Sequence, residues 1–215
     1  MGCGTGQLSA PLAAIFEKVT AIDPSESQIA NAKAHARIQY RVGTAEQIEL
    51  PDHSANLVVA AQAAHWFDLN RFYAEVRRIL HPHGVLALVT YGVPVLDGPA
   101  GARFDRFYWH DIHRYWPDER RHVEAGYKSL PFPFEETALP GLKITREWSF
   151  DELNAYVGTW SAMRAARAAG ASDIIGSALS EIAAAWGDPA AEHRITWPIC
   201  GRIAILCWMR PGRIA

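Results

Sequence analysis

Up to Tyr91, short apolar runs alternate with helical patterns, and that alternation admits little besides a parallel sheet covered by helices. Val19 to Ile22, Ile38 to Val42, Asn56 to Ala61 and Val85 to Tyr91 read as strands. Between the first two, Ser25 with Gln28 forms a capping box, and Ile29, Ala32, Lys33 and Ala36 carry a helix forward. Asp68 caps a second helix whose Phe72, Val76, Ile79 and Leu80 fall on one face, and His81-Pro82-His83-Gly84 ends it. Crossovers of this kind are right-handed, so the helices are expected on both faces of one sheet.

Beyond Gly92 the pattern changes. Residues 92–140 are rich in aromatics and proline, as in Phe104-Asp105-Arg106-Phe107-Tyr108-Trp109 and Leu130-Pro131-Phe132-Pro133-Phe134, and read as an irregular insertion or lid. Lys143 to Trp148 reads as a strand, Phe150 to Ala169 and Ser172 to Trp186 as helices, and Arg202 to Trp208 as a closing strand. A chain of 215 residues suits one domain over 1–215, comprising a cofactor-binding half at 1–91, the lid at 92–140 and a completing segment at 141–215.

The chemistry is concentrated at the start. Gly2-Cys3-Gly4-Thr5-Gly6 precedes the helical pattern of Leu8, Leu12, Ala13, Ile15 and Phe16, so the glycines form a turn feeding a helix N-terminus. Small residues there let a ligand touch backbone, and free N–H groups present positive potential. The first acidic residue past the next strand is Asp23, whose carboxylate can accept hydrogen bonds from both ribose hydroxyls of a nucleoside. Dinucleotide sites carry a third glycine beneath the pyrophosphate; Gln7 stands in that place here, which favours an adenosine-type ligand without a pyrophosphate.

The formal net charge of -2 gives no field that would draw the chain onto nucleic acid or an anionic membrane. Three cysteines, Cys3, Cys200 and Cys207, are an odd number without metal-type spacing, which argues for a reducing compartment and a cytoplasmic location. His110 and His113 flank Asp111, but two histidines without a third ligand read as helix surface, and no metal is expected.

These features resemble class I S-adenosylmethionine-dependent methyltransferases, and within them the small-molecule enzymes similar to trans-aconitate methyltransferase. The resemblance runs through Gly2-Cys3-Gly4-Thr5-Gly6, Ala21-Ile22-Asp23-Pro24-Ser25, Gly43-Thr44-Ala45-Glu46 and Ala61-Gln62-Ala63-Ala64-His65-Trp66-Phe67-Asp68, with Tyr115-Trp116-Pro117 and Tyr127 to Phe134 adding a subfamily character. It implies a Rossmann-like α/β three-layer sandwich, mostly parallel, with an antiparallel last strand. It also implies S-adenosyl-L-methionine as cofactor. Gly2, Gly4 and Gly6 would approach the methionine part and ribose, Asp23 the ribose hydroxyls, and Ala45 and Glu46 the adenine, with Glu46 as a solvated loop charge the competing view. Gln62 and Ala63 would face the methionyl group, and Cys3 and Pro24 complete the cofactor set. The family pattern has an acidic residue two positions before Gly2 and an apolar strand before that, so the expectation is that the first strand is missing and the physiological chain starts upstream of Met1.

Methyl transfer needs a base only where the acceptor carries its proton at neutral pH. His65 is the candidate; alternatively His65 and Trp66 pack or close over the cofactor. Trp66, Tyr115, Trp116, Arg120 and Tyr127 are the candidate acceptor-binding residues, because aromatics beside arginines can hold an organic acid. Ordinary packing of the same residues is the competing view. The expected function is methyl transfer to a small molecule, a carboxylic acid among the options. A catalytically impaired cofactor-binding protein and a nicotinamide-dependent oxidoreductase are the rivals.

Overall fold

The computed structural model describes residues 1–206. In chain order its elements are α1 (Ser9–Ile15), β1 (Val19–Asp23), α2 (Glu26–Ala30), β2 (Ile38–Val42), β3 (Ala55–Ala61), α3 (Leu69–Ile79), β4 (Leu80–Tyr91), β5 (Val95–Leu96), α4 (Gly98–Arg106), α5 (Arg120–Glu124), β6 (Leu142–Trp148), α6 (Phe150–Gly158), α7 (Ser161–Ala168), α8 (Ser172–Trp186) and β7 (His193–Ile205). The chain is α/β with mixed strand pairing, and its backbone forms two compact units.

The first unit comprises residues 1–90, 125–140 and 200–206 of the described chain. Here β1 pairs parallel with β2, and β3 parallel with β4. Residues 1–3 hydrogen-bond to both ladders, since the Met1 nitrogen donates to Val59 O and Cys3 N to Ile22 O. The end of β7 lies along β4 in the opposite direction, with His83 N donating to Leu206 O and Gly201 against Leu88. Helix α3 shows how sequence becomes packing. Asp68 accepts from Asn70 N and Arg71 N, satisfying two of the helix's orphan donors, and Phe72, Val76 and Ile79 are all fully buried. Truncating one such side chain costs about 2–5 kcal/mol.

The second unit comprises residues 91–124 and 141–199, where β6 and β5 each pair antiparallel with the first half of β7. Its core joins Phe104, Phe107, Tyr108 and Ile112 to Leu153, Met163, Ile175, Ile182 and Trp197.

Five expectations require correction. The strands form two sheets instead of one, β1 with β2 in the first and β3 to β7 in the second. The helix after Ser25 ends at Ala30 rather than Ala36: Ser25 does accept from Gln28 N, but Lys33 and His35 are exposed and offer no apolar face to hold further turns. The stretch 92–140 is not irregular throughout, because α4, a π-helical turn at Phe107–Asp111 and α5 lie within it. Its buried Ala100, Phe104, Phe107 and Tyr108 recur at helical spacing, a signal hidden by the aromatic composition. The helix expected over Phe150 to Ala169 is two helices, α6 and α7, because Trp160 takes extended dihedrals to bury its ring. Finally, the closing strand begins at His193, where it pairs with β6, and the expected end at Trp208 lies outside the described residues.

Candidate active site

The glycine turn is closed by Gly6 N donating to Cys3 O at 2.9 Å, and Ala10 N then donates to Gly6 O as α1 begins. Gly2 and Gly4 have φ of +62° and +54°, a region in which an L side chain is strained. They differ in surroundings. A Cβ on Gly2 would collide with the Ala63 side chain, whereas one on Gly4 would meet only Gln28 Oε1 at 3.7 Å. Gly2 therefore seals the turn against the residues after β3, and the backbone at Gly4 stands open.

Beside that opening, Asp23 ends β1 with only 8% of its surface exposed. Its Oδ2 accepts from Gly4 N at 2.8 Å and its Oδ1 from Ser25 N at 3.0 Å. Two backbone donors thus fix the plane of the carboxylate, and each oxygen keeps a second lone pair for a further donor. Pro24 lies between Asp23 and the α2 cap. Burial pushes the Cys3 thiol above its ordinary range, so the sulfur is held as a neutral thiol. An adenosyl ligand fits these groups: a diol would meet the carboxylate, and the open backbone at Gly4 leaves room for close approach.

Ala45 is buried, and Glu46 is tied down, its Oε1 accepting from Asp68 N at 2.9 Å. It is not simply a solvated loop charge. Gln62 follows β3 with φ +56°, unusual for a residue with a side chain, and its Oε1 accepts from the buried Thr90 hydroxyl at 2.9 Å. Ala63 is buried against Gly2, and a 3-10 turn at Ala64–Trp66 then presents His65 and Trp66. Trp66 is 60% exposed, an uncommon state for so large an aromatic ring.

His65 Nδ1 lies 2.9 Å from the hydroxyl of Tyr127, which comes from the distant 125–140 segment and has no exposed surface. Burial pushes the pKa of this phenol up to about 12, against the opposite pull of the Thr90 hydroxyl and of the backbone at Ala63, Ala64 and His65. Thr90 is the member of this cluster that sequence reasoning missed, because a lone threonine in an apolar strand carries no motif.

Tyr115, Trp116 and Arg120 belong to the second unit. Arg114 stacks over the Tyr115 ring at 5.0 Å and donates to its hydroxyl. Arg120 stacks over Trp116 at 4.4 Å and donates to the Tyr108 hydroxyl, which in turn donates to Glu124. Burial lifts the Tyr108 phenol far above its ordinary range. His113 meets the other oxygen of Glu124 at 3.2 Å. The Trp116 indole N–H is buried without a hydrogen-bond partner among the described residues. Also among those residues, no three metal-type side chains cluster, and no helix is long and apolar enough to cross a membrane.

Residues 1–88 match a family model described as a methyltransferase domain. A protein of Dictyostelium discoideum named as a methyltransferase is 34% identical over 178 residues, which span 81% of this chain and 68% of that protein. A ubiquinone biosynthesis O-methyltransferase of Bradyrhizobium diazoefficiens is 35% identical over 96 residues, 42% of this chain and 38% of its own. Among solved structures, one described as a type II methyltransferase from Anaeromyxobacter dehalogenans shares 46% identity with a TM-score of 0.90, covering 97% of this chain and 88% of that one.

Proposed function

The chain belongs to the class I S-adenosylmethionine-dependent methyltransferases, and from that membership we propose that it transfers a methyl group to a small-molecule acceptor, using the glycine turn and Asp23 to hold the donor. The observation that carries this reading is the buried Asp23 carboxylate, oriented by Gly4 N and Ser25 N beside the open backbone of Gly4. S-adenosylmethionine supplies a methyl on a positively charged sulfur, so transfer is a displacement whose demands on the protein are alignment and exclusion of water, together worth roughly 7–11 kcal/mol.

In this reading Ala45 and Glu46 border the adenine, Gln62 and Ala63 face the methionyl group, and the glycine turn runs along the methionine part and the ribose. Trp66 covers the methionyl end, its exposure being what supports the assignment. His65 takes the proton of an acceptor that arrives protonated; an ionised carboxylate would need no such help. The finer reading is an acceptor with a carboxylate, supported by the arginine-and-aromatic chemistry of Arg120, Tyr115 and Trp116, since a guanidinium holds a carboxylate by two parallel hydrogen bonds. We read 1–215 as one functional domain, and the odd cysteine count is in keeping with a cytoplasmic location.

Calorimetry with S-adenosylhomocysteine, with NAD as the comparison, tests the donor site. Asp23→Ala removes a charged acceptor of two hydroxyl donors, each bond worth about 1.5–3 kcal/mol, so affinity is expected to fall about a hundredfold or more. Unchanged affinity in Asp23→Ala, or tighter binding of NAD by the wild type, would overturn the reading. A methyl-release assay across carboxylic acids and phenols then identifies the acceptor class.

A further inference from the structure

We propose that the second unit carries a binding site for a small, single-ring aromatic carboxylate: an open cavity of about 150 Å³ lined by Tyr91, Ile144, Arg146, Trp148, Tyr156 and Trp197. None of these is among the residues read above as holding the methyl donor or its acceptor, so the site stands apart from the methyl-transfer reading.

Strand alternation builds the cavity. Ile144, Arg146 and Trp148 lie two apart on β6, so their side chains leave one face of the sheet, and the antiparallel register sets Trp197 of β7 opposite Ile144. Tyr156 of α6 then closes on the two tryptophans. The centroids of the three rings lie 5.4 Å apart for Trp148 and Tyr156, 5.1 Å for Trp148 and Trp197, and 5.6 Å for Tyr156 and Trp197. The Trp197 indole N–H donates to the Tyr156 hydroxyl at 3.2 Å, which fixes both rings. Walls that already hold one another need little further ordering when a ligand enters.

Size and charge select the ligand. An apolar cavity of roughly 150 Å³ holds a single benzene ring, whereas drug-sized ligands need about twice that volume or more. Arg146 is the one charged residue of the lining, and it is exposed. Its Nη1 donates to the Thr145 carbonyl at 3.0 Å, and among the described residues no carboxylate pairs with it. A guanidinium has five N–H donors, so most of the fork is left for a ligand. The neighbouring acid, Glu147, alternates to the other face of β6 and pairs with Arg194 at 2.7 Å. A methylated ammonium ion, the other ligand that a box of aromatic rings attracts, would meet Arg146 with no acid in the lining to offset the repulsion. An aromatic carboxylate instead sets its ring against the apolar walls and its two oxygens against the fork by parallel hydrogen bonds.

Titration of the ¹⁵N-tryptophan-labelled full chain with benzoate, benzamide and benzyltrimethylammonium tests the site through its indole N–H signals, with Trp148→Phe identifying that of Trp148. Benzoate is expected to move the Trp148 signal saturably and to bind about tenfold or more tighter than benzamide, which keeps the ring without the charge. Arg146→Gln, a change at an exposed side chain, removes that advantage and leaves benzamide affinity within about twofold. Ile144→Trp fills the cavity and abolishes the shift with all three compounds. Calorimetry reads the same affinities should Trp148→Phe fail to fold. Benzoate affinity unchanged in Arg146→Gln, tighter binding of benzyltrimethylammonium than of benzoate, or no saturable binding of benzoate to the wild type would overturn the proposal.

Discussion

Asp23 and His65 are both held in fixed orientations within one unit, but by opposite means. Asp23 is gripped by backbone donors that the local chain supplies, Gly4 N and Ser25 N, and any sequence that makes the turn and the strand end makes the grip. His65 is met by a side chain 62 residues away, on a residue whose own backbone lies at positive φ. A site built from backbone tolerates side-chain change and depends on conformation. A site built from distant side chains depends on identity at each of its members.

The largest expected effect attacks the backbone-made region where it touches the other. Gly2→Ala adds a Cβ that collides with Ala63 at a positive φ. Left-handed strain of about 1–2 kcal/mol and overpacking of about 1–3 kcal/mol together predict a loss of about 2–5 kcal/mol in urea unfolding. Gly4→Ala, with no such neighbour, carries only the strain, about 1–2 kcal/mol, yet fills the open face and should weaken S-adenosylhomocysteine binding at least tenfold, about 1.4 kcal/mol. Equal destabilisation by the two variants would erase the distinction between a sealing glycine and a ligand-facing one.

The next effect tests the side-chain-made region. A buried phenol whose pKa is about 12 holds its proton more tightly folded than unfolded, where the ordinary value near 10 applies. Its contribution is complete below about pH 10 and is lost as pH rises toward 12. A shift of this size corresponds to about 2–3 kcal/mol. Tyr73, also pushed to about 12 by burial, loses stability in the same window. Unfolding midpoints measured from pH 9 to 12 should fall in the wild type and fall less steeply in Tyr127→Phe. An unchanged slope in that variant would show the phenol is not the origin.

The same contrast explains what the sequence made legible. The glycine turn, Asp23, the Asp68 cap and the stripe of Phe72, Val76 and Ile79 were all readable, because each depends on residues within a few positions of one another. The break between α6 and α7 was not, since it answers to where the Trp160 ring packs. The early start of β7 was not either, since it is set by pairing with β6. Tyr127 was singled out, but its contact was hidden: nothing near position 127 points to His65. Aromatic content likewise masked the helical spacing of Ala100, Phe104 and Phe107.

Glu46 lies between the two kinds of site, and the smallest expected effect concerns it. Its carboxylate comes from a loop after β2 and reaches Asp68 N, the residue that caps α3, so a side chain here serves a backbone group. Glu46→Gln keeps an amide oxygen that can accept the same bond while removing the charge. Thermal unfolding should therefore change by less than about 0.5 kcal/mol, in line with substitutions that preserve their contacts. If the carboxylate also accepts from the amino edge of an adenine, the weaker neutral acceptor should lower S-adenosylhomocysteine affinity several-fold, because a charged acceptor strengthens such a bond by roughly 1 kcal/mol. A fall in stability without a fall in affinity would make Glu46 a brace for α3 alone, and the adenine would have to be read by backbone at Ala45.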